Sequence, residues 1–196
     1  DDLRFPVQYV IRDGASDYRG YAGQLGGGVL SPGDEVLVLP SEQVTTVASI
    51  DSFEGPLETA FAPMSVTVRL ADDLDVSRGD LICRPADRPA LARDLVADVC
   101  WMADAPLRPG GRYAIKHATH TARAIVESID DRVEVASLGR EPTPGELALN
   151  DIGRVRVRTS NPLAFDPYAR NRATGSFILI DEATNDTVGA GMITET

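Results

Sequence analysis

Hydrophobic and polar residues alternate with a period of two along most of the chain. Leu3, Phe5, Val7, Tyr9 and Ile11 share one parity, so residues 3–12 read as a half-buried strand. Pro6 places that stretch at a sheet edge or at the strand's first turn. Residues 13–17 form a loop, and residues 18–30 carry Gly20, Gly23, Gly26, Gly27 and Gly28 in a strand context, a mark of bulges and close backbone approach. Ser31-Pro32-Gly33-Asp34 specifies a type II turn, with Pro at its second position and Gly at its third. Strands are expected at 35–40, 43–53, 65–71 and 81–85, with 54–64 a loop holding at most one helical turn and 70–80 a turn-rich connection. Many short strands and no long helical pattern predict a small antiparallel barrel.

Residues 84–94 hold two prolines and alternating charges and read as a linker. Beyond them the strand pattern resumes at 95–103, 111–120, 121–130, 132–139 and 151–160, with 141–146 a loop and 176–193 a hairpin. In 151–160, Val155 and Val157 point inward while Arg154, Arg156 and Arg158 point out. The expectation is all-β: two consecutive antiparallel β-barrels, residues 1–88 and 92–196.

Composition narrows the function. The chain has 196 residues, 43% hydrophobic and 25% charged, which fits a folded chain and not a disordered one. No apolar run reaches the ~18–20 residues of a membrane helix. The first residues, DDLRFPVQYV, lack both a signal-peptide pattern and an initiator Met, so the chain is expected to begin inside a longer cytoplasmic protein. Net charge is −11, and it is uneven: residues 1–89 hold 15 acids against 7 arginines, residues 90–196 hold 15 against 12 bases. Phosphate binding needs clustered cations, so nucleic acid and anionic membrane are disfavoured as partners.

Eighteen of the 19 bases are Arg. Lys116 sits in RYAIKHAT and cannot be the lysine of a phosphate-binding loop, and no G-x-S-x-G or G-x-G-x-x-G occurs. Cys83 and Cys100 read as buried reduced thiols. His117 and His120, placed in one strand, would point to opposite faces, which speaks against a metal site. The Asp72, Asp73, Asp75 run lacks the glycine and spacing of a calcium loop. Arg78-Gly79-Asp80 enters a strand, Asn185-Asp186-Thr187 is a glycosylation sequon only in a secreted protein, and no local motif supports a Ser–His–acid triad. No catalytic, cofactor-binding or metal-binding residue is expected in this chain. The candidate functional segment is the loop around Arg170, Asn171 and Arg172, flanked by Phe165 and Tyr168, which reads as a protein interface, against a competing reading in which Phe165 and Tyr168 plug the barrel and the two arginines are solvated.

Two barrels without a nucleotide site resemble the region behind the GTP-binding domain of translation-factor-like GTPases. RGYAGQLGGGVLSPGDEVLVLP (19–40) resembles the second-domain signature of that superfamily, SRGDLI (77–82) its closing strand, and TVGAGMI (187–193) the end of its third domain. LRFPVQYVIR (3–12), DSFEGPLETAFAPMSVTV (51–68) and above all NPLAFDPYARNRATGSFILIDEATNDTVGAGMI (161–193) resemble the GTPase (large) subunit of bacterial ATP sulfurylase. That resemblance implies a parent enzyme making adenylylsulfate and pyrophosphate from ATP and sulfate, driven by GTP hydrolysis. It places GTP and Mg in a domain absent from this chain. It also implies two partners for the barrels, the small catalytic subunit and the parent's own GTPase domain, and in some bacteria a fused adenylylsulfate kinase. The competing readings are a translation elongation factor whose barrels bind tRNA and a stand-alone binding module.

Overall fold

Alternating burial along the chain is realised as strands that close on themselves. The structure is a computed structural model and describes residues 1–194. It is all-β apart from one turn of 3-10 helix at Pro85–Asp87. The chain divides into two units, Asp1–Leu91 and the part that begins at Ala92.

The first unit contains β1 (Phe5–Arg12), β2 (Arg19–Gln24), β3 (Val29–Leu30), β4 (Glu35–Leu39), β5 (Gln43–Ser52), β6 (Gly55–Leu57), β7 (Ala60–Phe61), β8 (Ser65–Leu70) and β9 (Leu81–Cys83). Six of them pair in the order β4-β9-β1-β2-β8-β5, and a further β4–β5 pairing closes the ring. β6 hangs on β5, and β3 and β7 form a separate ribbon. Phe5, Val7, Tyr21, Val36, Val38, Ile50 and Val68 meet in the interior. The pairing of β1 with β2 shifts register between Val7 and Tyr9. A Cβ on Gly23 would stand 2.3 Å from the Pro6 carbonyl oxygen, so the glycine-rich stretch does permit close backbone approach. Asp34 N–H donates to the Ser31 carbonyl at 3.1 Å and Gly33 has φ +91°, as the type II turn requires.

Two expectations for this unit change and a third narrows. Residues 54–64 contain no helical turn: β6 and β7 are strands too short to announce themselves by alternation, and they exist because β5 and β3 offer them hydrogen-bond partners. Of the two places open to Pro6, the sheet edge falls away, since β1 lies between β9 and β2, and the strand's first turn is the one found, Pro6 being the second residue of β1. The segment 84–94 is only partly a linker, because regular strand begins at Ala90.

The second unit is built from β10 (Ala90–Trp101), β11 (Arg112–His117), β12 (His120–Glu134), β13 (Gly139–Pro142), β14 (Ile152–Phe165), β15 (Ser176–Ile180) and β16 (Thr187–Ile193). The order β11-β15-β16-β10-β14-β12 closes through β11–β12, and β13 extends β12. Two segments read as separate strands, 121–130 and 132–139, are largely one, since β12 runs unbroken to Glu134. The interior holds Leu95, Val99, Trp101, Ile115, Val126, Val155, Val157, Leu163, Phe165 and Leu179. Trp101 donates its indole N–H to the Ala105 carbonyl at 2.7 Å and meets the Tyr113 ring edge-on at 5.3 Å. Among the described residues no helix is long and apolar enough to cross a membrane.

Candidate functional site

Odd-numbered positions of β14 point inward except at exposed Asn161, and the same parity resumes at Leu163 and Phe165. Phe165 is 1% exposed and belongs to the barrel core. Its aromatic surface is spent on folding, so it is removed from the candidate interface. The sequence reading ended this strand at residue 160, and for Phe165 it is the competing reading, a plug in the barrel, that the structure bears out.

The chain then leaves the barrel in a tight excursion, closed at its base by Asp166 and Thr174. The Asp166 carboxylate is buried and accepts a 2.5 Å hydrogen bond from the Thr174 hydroxyl, while Asp166 N–H donates to the Thr174 carbonyl at 3.3 Å. Inside the excursion, Arg170 N–H and Asn171 N–H both donate to the Pro167 carbonyl, at 2.9 and 3.1 Å. Asn171 Oδ1 accepts from Thr174 N–H at 3.1 Å, and the Ser176 hydroxyl donates to the Arg172 carbonyl at 2.8 Å. Tyr168 N–H donates to the Ile193 carbonyl at 2.8 Å, tying the loop to β16. Gly175 lets the two limbs touch: a Cβ there would lie 2.5 Å from the Asn171 carbonyl oxygen.

This scaffold presents two cations. Arg170 and Arg172 are exposed, and the Arg172 guanidinium sits 5.9 Å from the centre of the half-buried Tyr168 ring, a cation–π contact. Asn171 is half-buried and spends its side-chain oxygen inside the loop. The candidate patch is therefore Tyr168, Arg170 and Arg172 on a self-bonded support.

The histidines adjoin this loop, and here the sequence reading is corrected. A two-residue turn, Ala118-Thr119, separates them, so His117 and His120 pair across β11 and β12. Directly opposed residues of antiparallel strands share a face. His117 is buried, with Nε2 2.7 Å from the Thr174 carbonyl oxygen. Burial is the main cause that holds its pKa below the usual imidazole value, opposed by the hydrogen bond to Thr174. Among the described residues, no group of three or more His, Cys, Asp or Glu is placed to hold a metal ion.

Other features singled out in the sequence have structural duties. Asp72 accepts from the Thr45 hydroxyl at 2.7 Å and Asp73 pairs with Arg19 at 2.5 Å. Asp80 accepts from Ser77 N–H at 2.9 Å, making Arg78-Gly79-Asp80 part of a turn. Asn185 occupies the turn between β15 and β16 at φ +64°. Both cysteines are free thiols, Cys83 buried and Cys100 half-buried. Arg154 and Arg156 do point outward, onto Asp98 at 3.3 Å and Asp130 at 2.9 Å; Asp98 and Asp131 together bind Arg140, at 3.2 and 2.6 Å.

Two linked barrels of this kind define the class. Residues 94–194 match the family model described as GTP-eEF1A C-terminal domain-like, and the chain belongs to that family. The fold aligns with the crystal structure of sup35 complexed with GDP at a TM-score of 0.89 and 16% identity, covering 100% of this chain and 47% of that one. More specific are the curated relatives. The chain is 52% identical over 196 residues to the bifunctional enzyme CysN/CysC of Mycobacterium tuberculosis, covering 98% of this chain and 32% of the relative. It is 47% identical over 193 residues to sulfate adenylyltransferase subunit 1 of Aeromonas hydrophila, covering 98% of this chain and 40% of the relative. The chain thus spans 32% to 40% of the length of these relatives.

Proposed function

We propose that this chain is the two-barrel region of a cytoplasmic sulfate adenylyltransferase GTPase subunit, and that it couples a GTP-hydrolysing domain to a separate catalytic subunit. The observation that carries the reading is 52% identity over 98% of the chain to a CysN/CysC enzyme, against 16% to a translation factor of the same fold. In the parent, ATP and sulfate give adenylylsulfate and pyrophosphate, and GTP hydrolysis drives the synthesis. GTP and Mg would bind in the domain that the chain does not contain, because a phosphate-binding loop needs a lysine after a glycine and Lys116 follows Ile115. The barrels contribute shape and contacts. A GTPase switch orders its loops around the γ-phosphate, and coupling requires a neighbour whose contacts differ between the two states. The Tyr168, Arg170, Arg172 patch is suited to such a contact, with planar guanidinium groups that engage carboxylates in pairs.

The test uses the full-length subunit together with its catalytic partner. Adenylylsulfate formation and GTP hydrolysis are measured in the native assembly and in one whose two barrels are replaced by those of a translation factor. The reading expects the replacement to uncouple the two rates, with GTP hydrolysis retained and synthesis no longer stimulated. Undiminished coupling after replacement would sink it. Binding of aminoacyl-tRNA by the native barrels would favour the translation-factor alternative.

A further inference from the structure

A groove of about 430 Å³ lies on the outer wall of the second barrel, away from the loop just described in sequence and built by other strands. Arg112 of β11 pairs with Ile125 of β12, and Ile125 pairs with Arg158 of β14. The three side chains therefore form one outward row, with the two arginine backbones roughly 10 Å apart across three strands. Ile125 is 40% exposed at the centre of that row. The adjacent row adds Arg123, and Tyr113 and Glu182 complete the lining used here. The lining itself holds three arginines and one glutamate, with Asp94 and Glu127 lying beyond it against Arg158.

These arginines differ from the others on the same barrel. Arg140, Arg154 and Arg156 reach carboxylates at 2.6, 3.3 and 2.9 Å. Arg123 reaches Glu182 only at 3.4 Å, and Arg158 stands 3.7 Å from both Asp94 and Glu127, all of them exposed. Arg112 has no carboxylate partner among the described residues. Long, solvated ion pairs hold their members weakly. The groove thus keeps guanidinium donors available around an apolar floor, the composition of a protein-binding site whose hydrophobic centre is rimmed by arginine. Nucleic acid fits it less well, because a run of phosphates has no apolar group to rest on Ile125 at the centre of the row.

We infer that this groove docks an acidic segment of a partner protein, with an apolar side chain resting on Ile125 and carboxylates bound by Arg112, Arg123 and Arg158. The probe is a fluorescent peptide with one leucine flanked on each side by three Asp or Glu residues, titrated with the intact chain at low salt. Saturable binding is expected, weakened at least tenfold by the pair Arg112→Glu and Arg158→Glu and at least threefold when the peptide leucine is glycine. Arg170→Glu with Arg172→Glu should leave it unchanged. Arg112→Gln alone, at an exposed residue without an ion pair, gives the same test without risk to the fold. Absence of saturation up to millimolar protein would overturn the inference, as would equal binding by the groove variants. Displacement of the peptide by oligouridylate at lower concentration than by an acidic competitor peptide would reassign the groove to nucleic acid and overturn it too.

Discussion

The imidazole of His117 and the carbonyl of Thr174 lie 2.7 Å apart, so the tip of the β11–β12 hairpin is fastened to the base of the arginine-bearing loop. Nε2 serves that bond as an N–H donor, which the neutral ring provides without charging a buried site. Stability should therefore depend on pH. The unfolded histidine takes up a proton below about 6.5, while the folded one, its pKa lowered by burial, resists until lower pH. The unfolded state binds more protons in that window. Stability is fully present above 6.5 and declines as pH falls through it. Melting temperatures measured from pH 7.5 to 5.5 should show the decline, and His117→Gln, which keeps a donor, should flatten it. An unchanged slope in the variant would disprove the assignment.

The Thr174 hydroxyl donates to a buried carboxylate, a stronger bond than one between neutral groups. Thr174→Val removes it and should cost about 1.5–3 kcal/mol. Denaturant unfolding followed by the single tryptophan, Trp101, reports on the barrel concerned. A loss below about 0.5 kcal/mol would mean that the Asp166 carboxylate draws its support from elsewhere.

At Gly175 the backbone of the same loop closes on itself. An added methyl group would meet the Tyr168 and Asn171 main chain at 2.5 Å, where no flexible side chain can yield. Gly175→Ala should destabilise by about 1–3 kcal/mol or more. Amide exchange should accelerate at Tyr168 and Ile193, whose backbone groups tie the loop to β16, and stay unchanged in the Ser31–Asp34 turn of the other unit.

Phe165 and the arginine pair should separate cleanly. Phe165→Ala opens a cavity in the core and should cost about 3–5 kcal/mol. Arg170→Glu with Arg172→Glu alters exposed charges and should change stability by less than about 1 kcal/mol. In the full-length subunit, only the arginine pair should weaken partner binding or GTP-stimulated adenylylsulfate synthesis without loss of fold.

Much of the architecture was legible because period-two burial is a strong local signal: Val155 and Val157 lie in the core as expected, with Arg154 and Arg156 outside. Pro32 and Gly33 announced their turn for a similar reason, since each restricts or frees φ in a defined way. The turn between His117 and His120 gave no such notice. Ala118 sits there at φ +48°, a conformation in which glycine or asparagine is the usual signal, and barrel closure imposes it. The loop's support was equally hidden, because nothing local links Asp166 with Thr174, eight residues on. The groove around Ile125 depends on β11, β12 and β14 lying side by side, which is a matter of register and not of motif.

Each barrel closes through a pairing of its first and last ring strands, β4 with β5 and β11 with β12. A closed ring offers no free edge from which a strand could peel. A push on one loop is consequently shared around the whole wall, and the wall answers as a stiff body.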